Sequence, residues 1–116
     1  MAATNTALNL AVAGLASQVI ELSLHTGDPG GSGTANELTG GAYGREEVAY
    51  GSPSNGSVEI TAAVTFEGPG SEATVTHIGF WGESTTFLGS VTCTNKTIGP
   101  GDTLTVTSAP ITVSNA

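Results

Sequence analysis

Residues 25–46 read HTGDPGGSGTANELTGGAYGRE, and this long polar interval separates two stretches that are predicted to be strands. It contains seven of the 17 glycines and one of the two basic residues of the chain. A loop longer than about 12 residues without secondary structure is uncommon in a compact domain unless it has a function. The glycines allow left-handed backbone and close packing, and the residues between them are specific polar ones that a flexible linker does not need. The interval therefore predicts an ordered surface loop.

Ten residues of this interval form the motif that we expect to make structural or partner contacts. They are His25, Asp28, Pro29, Gly30, Asn36, Glu37, Gly40, Gly41, Tyr43 and Arg45. The sequence DPG at 28–30 is typical of a turn, because proline presets one backbone angle and glycine accepts the left-handed one. A solitary arginine in an acidic chain most often pairs with a nearby carboxylate. Arg45 is therefore expected to bind Glu37, Glu47 or Asp28.

Outward from the loop, the chain alternates short β-patterned runs with turn sequences. Residues 19–25 place Ile20, Leu22 and Leu24 on one face, which predicts a half-buried strand. The other predicted strands lie at 43–50, 57–67, 74–81, 87–94, 103–107 and 111–114. About seven or eight short strands at this spacing are typical of a sandwich or a barrel. We therefore predict an all-β fold, a single β-sandwich or barrel-like domain of antiparallel strands with a short N-terminal helix.

Residues 57–67, SVEITAAVTFE, have the clearest strand pattern in the chain. Apolar residues occupy every second position, so one face is expected to be core and the other solvent-exposed. The residues assigned to the core face are Val58, Ile60, Ala62, Val64 and Phe66. The preceding Asn55-Gly56 pair is typical of a hairpin turn.

Residues 5–16, NTALNLAVAGLA, are the one helix candidate. Thr4, Asn5 or Thr6 can cap its start. An apolar stripe repeats along one of its faces at intervals of four and three. The residues of this stripe are Leu8, Val12 and Leu15.

The N-terminal segment differs from the rest of the chain in charge. Residues 1–20 contain no charged side chain, whereas all ten acidic and both basic residues follow. Interface cores are depleted of charge, and an exposed apolar stripe is unfavourable in water. We therefore expect the stripe to contact sister subunits or another partner surface rather than the chain's own sheet. On this view the chain divides into an anchoring segment, 1–18, and a β module, 19–116.

The charge balance argues against several classes of partner. A formal net charge of −8 offers no basic patch for nucleic acid and would be repelled by an anionic membrane. The longest apolar run, residues 7–16, is much shorter than the ~20 residues of a membrane span, and no positive segment precedes it. The single Cys93 cannot form an intrachain disulfide, which fits synthesis in a reducing cytoplasm.

The residue pattern gives little support to a metal site or a catalytic site. The segment 28–39 is similar to a calcium loop with glycine at its sixth place, but its third place is glycine and its twelfth is threonine, where a bidentate glutamate is needed. Glu46 and Glu47 would point to opposite faces of a strand. Nothing in the sequence arranges a nucleophile and an acid around His77. We predict no catalytic residue, no metal site and no cofactor.

Four blocks of the sequence resemble a small module of tailed bacteriophages. They are Leu22-x-Leu24-His25-Thr26-x-Asp28-Pro29-Gly30, Asn36-Glu37-x-x-Gly40-Gly41-x-Tyr43-x-Arg45, Ala63-Val64-Thr65-Phe66 and Val75-Thr76-His77-Ile78-Gly79-Phe80-Trp81. The similarity extends over residues 19–113, and the module occurs in proteins labelled tail-fibre, minor tail or head-decoration proteins. The resemblance implies a non-enzymatic, β-rich structural protein of the virion, made in the host cytoplasm.

The leading hypothesis from this resemblance is a capsid decoration (cement) protein that binds the assembled head. Its partners would be the major capsid protein or other virion proteins. A short uncharged helix precedes the module here instead of a long fibre shaft, which favours a compact unit on a particle surface. We also expect a homo-oligomer. The trimer is taken from the three-fold sites where decoration proteins commonly sit, not from the residues.

Two other functions remain open. The main alternative is a minor tail, tail-fibre or baseplate component that contacts the host surface. A carbohydrate-binding or hydrolytic domain is the least favoured hypothesis, because it would need paired acids or an exposed aromatic platform. The candidates for such a platform are Trp81, Tyr43 and Tyr50.

Overall fold

Residues 4–112, which a computed structural model describes, form one α-helix followed by eight short β-strands. The helix α1 is Asn5–Ala16, and the strands are β1 (Glu21–His25), β2 (Glu46–Glu47), β3 (Ser57–Val58), β4 (Val64–Glu67), β5 (Ala73–Trp81), β6 (Phe87–Ile98), β7 (Thr103–Val106) and β8 (Ile111–Thr112). A 3₁₀ turn, Glu83–Thr85, connects β5 to β6. The predicted all-β fold with a short N-terminal helix is confirmed. Within these residues the strands pair antiparallel and do not close into a barrel.

The strands form a four-stranded sheet and two smaller sheets around one core. The large sheet has the order β2-β1-β5-β6, and the pairs β4–β7 and β3–β8 form the other two. The pairing of β1 with β5 runs from Glu21 opposite Trp81 to His25 opposite His77. One hydrophobic cluster joins the large sheet to both small ones; its largest fully buried members are Phe66, Leu22, Leu24, Ile98, Val58 and Val75. The arrangement is a small β-sandwich-like domain.

Strand β1 is buried on both faces, so the prediction of a half-buried strand was wrong. Leu22 and Leu24 lie in the core as predicted, but Ser23 and His25 on the opposite face are also fully buried. Ile20 precedes β1 and is 40% exposed. The polar face is buried because the long loop covers it and supplies hydrogen-bond partners to its side chains.

The long strand predicted at 57–67 is divided into β3 and β4, which belong to different sheets. The chain bends at residues 61–62. The cause lies at Glu59, whose carboxylate accepts hydrogen bonds from the N–H groups of Ile60 at 3.0 Å and Ala109 at 2.7 Å. A side chain that takes a backbone N–H in this way interrupts the ladder between strands. Val58, Val64 and Phe66 are buried as predicted, Ile60 is partly buried and Ala62 is exposed.

Other strand predictions differ from the structure mainly in length. Of the predicted strand 43–50, only Glu46–Glu47 pairs as β2. The strand predicted at 87–94 continues to Ile98 as β6. The last predicted strand is observed over Ile111–Thr112, and its residues 113–114 lie outside the described part of the chain.

The helix forms where it was predicted but packs differently. Its bounds and its cap are confirmed, since the Thr4 hydroxyl accepts a hydrogen bond from Ala7 N–H at 3.2 Å. Leu8 and Val12 are buried, and Leu15 packs partly buried against the same core. This packing corrects the expectation that the stripe faces a partner. The helix is too short to be stable without docking, and it packs on the small β3–β8 sheet.

The exposed surface of the helix is mostly apolar. Leu10 is 71% exposed, the most exposed of the large hydrophobic residues in the described part of the chain. Among those same residues, no helix is long and apolar enough to cross a membrane.

Candidate functional site

The loop between β1 and β2 takes the place of a strand along the open edge of β1. Strand β2 pairs only with Glu21 and Leu22, so it leaves the backbone of Leu24 without a strand partner on that side. Leu24 N–H donates to the Tyr43 hydroxyl at 3.0 Å, and the Leu24 carbonyl accepts from Leu38 N–H at 3.0 Å. Buried backbone groups must be paired, and this loop pairs them. The loop is thus an integral part of the sheet edge.

An ion pair closes the loop on itself. Arg45 Nη2 donates to Glu37 Oε1 at 2.9 Å and Arg45 Nε donates to Glu37 Oε2 at 3.0 Å. The Tyr43 hydroxyl donates to the same Oε2 atom at 2.9 Å. The prediction that Arg45 binds a nearby carboxylate is therefore confirmed, in the bidentate geometry that suits a guanidinium. One carboxylate thus joins Glu37 to both Tyr43 and Arg45.

The charges of this ion pair stabilise each other. Partial burial by itself would raise the pKa of Glu37, but the hydrogen bonds from Arg45 and Tyr43 outweigh it and lower that pKa. The hydrogen bond to Glu37 raises the pKa of Arg45. Burial raises the pKa of Tyr43, so its hydroxyl keeps its proton as a donor. The pair is consequently charged at neutral pH.

Trp81 connects the ion pair to the buried face of β1. The Arg45 guanidinium carbon lies 3.6 Å from the centroid of the Trp81 ring, within the range of a cation–π contact. Trp81 Nε1–H donates to Ser23 Oγ at 2.7 Å. The indole therefore touches the loop through its face and β1 through its nitrogen.

His25 extends this network on the buried face. Its Nδ1 lies 2.9 Å from the Ala35 carbonyl, which can only accept, so Nδ1 carries the proton of the neutral ring. Nε2 then accepts from the Ser23 hydroxyl at 2.7 Å. Burial is the largest influence on this histidine and lowers its pKa, with the Ala35 carbonyl and the Glu37 charge opposing it. The neutral imidazole is the form that satisfies both partners.

The Ser23–His25 pair has the atoms of a nucleophile and a base but not their environment. Both residues are fully buried, so a substrate has no access to the Ser23 hydroxyl. The partner of His25 Nδ1 is the neutral Ala35 carbonyl rather than a carboxylate. In the Ser-His-Asp arrangement a carboxylate orients the histidine and stabilises its charged form. The pair is therefore suited to hold the loop against β1.

Turn residues fix the outer half of the loop. The Asp28 carboxylate accepts from Gly30 N–H at 2.8 Å, and Gly30 has a φ of 75°. Asn36, also left-handed with a φ of 61°, donates through Nδ2 to the Asp28 carbonyl at 3.0 Å. Pro29 is buried, and its carbonyl accepts from Ala35 N–H at 3.1 Å. These bonds form a turn network in which Asp28, Pro29, Gly30 and Asn36 all take part.

The two glycines at 40–41 pack the loop against a second turn. Gly41 has a φ of 58°, and a Cβ at that position would lie 2.7 Å from the backbone of Pro69. Gly70 N–H donates to the Thr39 carbonyl at 3.0 Å and ties the two turns together. A side chain at 41 would force these backbones apart.

The structure thus brings most of the predicted motif into one assembly. Glu37, Tyr43 and Arg45 form one hydrogen-bonded cluster, and His25 belongs to a second one with Ser23 and Trp81. The contact of Arg45 with the Trp81 ring joins the two clusters, whereas the turn residues 28–30 and the glycines 40–41 shape their borders. The residues that the motif did not include are Ser23 and Trp81. Bulk on both sides of the strand predicted at 74–81 was the sequence signal that Trp81 is covered.

The positions of the aromatic residues and of the possible metal ligands bear on the hypotheses of a carbohydrate-binding site and a metal site. Trp81 is buried, and Tyr43 and Tyr50 are partly buried, so the three do not form an exposed aromatic platform. Within residues 4–112, no three His, Cys, Asp or Glu side chains come together as metal ligands. Every buried side-chain nitrogen or oxygen in that range has a hydrogen-bond partner.

Comparison with known proteins gives one family. The family model described as Podophage GP4 fiber I protein gp80 matches residues 2–114, nearly the whole chain. The match includes the helix, the long loop and all eight strands. Among curated proteins, none matches this chain.

Proposed function

We propose that this chain, which belongs to the Podophage GP4 fiber I protein gp80 family, is a non-enzymatic structural component of a phage fibre. The observation that carries the proposal is the family match over residues 2–114. It favours the tail-fibre alternative over the leading hypothesis of a capsid decoration protein. We accordingly replace the decoration hypothesis and place the chain in a fibre of the virion, after synthesis in the host.

The geometry of the motif supports a structural role. Its polar side chains bind one another or backbone groups of the same chain rather than lining an open cleft. A cooperative network of this kind rigidifies a loop. A rigid, acidic module with an internally satisfied loop suits a permanent part of a particle.

Intact virions test the location. Gold-labelled antibodies raised against the chain are expected to bind at the fibres, and quantitative mass spectrometry should give a small number of copies for each fibre. Particles that lack the gene provide the control for labelling. Uniform label over the head, with hundreds of copies in each particle, would contradict the fibre and restore the decoration hypothesis.

The partners in the proposed role are other virion proteins and further copies of this chain, as a trimer. The inner stripe of Leu8 and Val12 is already used in the fold, so the surface available for association is the outer face of α1. Leu10 is exposed there, and residues 1–20 are uncharged. Copies with a net charge of −8 repel one another least where neither surface has acids.

Leu10→Asp is expected to convert the oligomer to a monomer without affecting the fold. The change adds a charge to the outer face of α1, and the exposed side chain makes little contribution to the core. Light scattering should give about three times the subunit mass for the natural chain and the mass of a single subunit for the variant. Ser52→Asp, at another exposed position, is the matched control and should remain oligomeric. A natural chain that is monomeric, or a Leu10→Asp variant that stays oligomeric, would refute association through this face.

A further inference from the structure

Strands β6 and β7 line a shared groove. Strands β6 and β7 are consecutive in the chain and are joined by the turn at 99–102, but they belong to different sheets. Strand β6 is the last strand of the four-stranded sheet, and β7 pairs only with β4. Within residues 4–112, no strand pairs with the other edge of either one. Unpaired edges of this kind are templates for another strand.

The groove between these strands has an apolar floor. Its volume is about 540 Å³, and its walls are residues 93–96 of β6 and residues 103–108 of β7 and the segment after it. Leu24, Val75 and Ile78 lie beneath it, and Leu104 and Val106 point inward from β7. The side chains of β7 alternate between exposed and buried, so its backbone is regular along the groove.

The charge of the groove differs from that of the rest of the chain. None of the residues that line it is acidic, although the chain has ten acidic residues. Lys96 lies on its wall and is exposed. It is the one Lys or Arg of the chain without a salt bridge in the described residues, since Arg45 is paired with Glu37. The groove therefore favours an occupant with a carboxylate.

We propose that the groove binds an extended peptide segment of another chain, which adds as a strand to the free edge of β7. Alternate apolar side chains of the segment would pack on Leu104 and Val106, and an acidic side chain would lie near Lys96. We assign the pairing to β7 because β6 is irregular where it lines the groove. Val75 of β5 pairs with Lys96 and His77 pairs with Thr92, so three residues of β6 lie opposite the single Thr76. Strand addition supplies affinity through the main chain and specificity through alternate side chains.

A peptide fits this groove better than a glycan does. No aromatic side chain lines the groove, whereas sugar rings are commonly bound by stacking on aromatic residues. The apolar floor beside an unpaired β edge matches the alternating side chains and the backbone of a strand. The proposal deepens the proposed function by naming the kind of partner that a fibre component would contact. Peptide binding is measured without virions, so its failure is distinct from a failure of the virion labelling.

The test uses isotopically labelled protein and a capped seven-residue peptide, Val-Thr-Val-Asp-Val-Thr-Val, in NMR titrations. Amide shifts are expected at residues 93–96 and 103–108. Lys96→Glu should weaken binding by ~5-fold, the order of an exposed ion pair. Ser90→Glu, on the same strand outside the groove, is the matched control and should bind like the natural chain. The same peptide with every backbone amide methylated should not bind, because it has no N–H group left to pair with β7.

Three results would overturn the proposal. The first is an absence of shifts at millimolar peptide, or shifts confined to other surfaces. The second is equal binding of the methylated peptide, which would show that no strand is added. The third is binding of an anionic oligosaccharide to these residues in place of the peptide, which would make the groove a glycan site.

Discussion

Phe66→Ala is expected to lower the free energy of unfolding by about 3–5 kcal/mol, as large-to-small changes in a core do. Phe66 is fully buried on β4, and its ring stacks on Tyr43 with 6.3 Å between centroids. Removing it leaves a cavity between the sheets and beside the tyrosine that holds the Leu24 backbone. Urea denaturation followed by circular dichroism measures the loss. Amide exchange at Leu24 should also become faster.

The neighbouring Thr65→Ala variant is the control for this measurement. Thr65 is exposed on the same strand, and its hydroxyl pairs with Thr105 on the surface. Its effect should stay within about 0.5 kcal/mol. If the alanine variant at 66 does not fold, Phe66→Leu keeps most of the volume and should cost about 1 kcal/mol. If neither Phe66 variant changes the urea concentration at the unfolding midpoint, this face of β4 is not the core.

The elements that could be predicted from the sequence are those fixed by local chemistry. The cap and the apolar repeat were sufficient to predict the helix, and its observed bounds agree with the prediction. The Asn55-Gly56 turn is likewise local, since both residues adopt the positive φ angles, 51° and 77°, that this pair accepts with least strain. In both cases the deciding interactions lie within a few residues of one another.

The strand and burial predictions are wrong where contacts between residues distant in sequence determine the structure. The run 57–67 has an unbroken strand pattern, but Glu59 binds Ser108 and Ala109, which are about fifty residues away in sequence. Alternation along one strand contains no information about that contact. The burial of Ser23 and His25 likewise depends on Trp81 and Ala35, which arrive from β5 and from the loop.

One part of the candidate site, its ion pair, could also be predicted from the sequence. The Arg45–Glu37 pair follows from charge, because an acidic chain with one arginine among several carboxylates has few alternatives. The helix stripe was assigned to a partner because its lack of charge suits an interface. The same lack of charge suits a hydrophobic core, and only the three-dimensional packing separates these two outcomes.

Glu37→Ala is the second substitution for which we expect a large effect, a loss of about 3 kcal/mol of stability. It removes the acceptor of three hydrogen bonds from charged or phenolic donors and leaves the partly buried Arg45 without its counter-ion. Bonds to charged groups and broken ion pairs with little exposure have costs of this order. Glu47→Ala removes an exposed acid from β2 and is the matched control, with a change expected within about 0.5 kcal/mol. A double-mutant cycle with Arg45→Ala should give a coupling of about 1–3 kcal/mol.

The pH dependence of this loss separates the ion pair from simple loss of packing. Because the pKa of Glu37 in the folded chain lies below its ordinary 4.5, its carboxylate stabilises the fold above that pH. The contribution disappears as the pH falls below 4.5, when the folded carboxyl gains its proton. The difference in stability between the natural chain and Glu37→Ala should therefore be constant near neutral pH and shrink in acid. A difference that stays the same down to pH ~3 would mean that the carboxylate charge does not hold the loop.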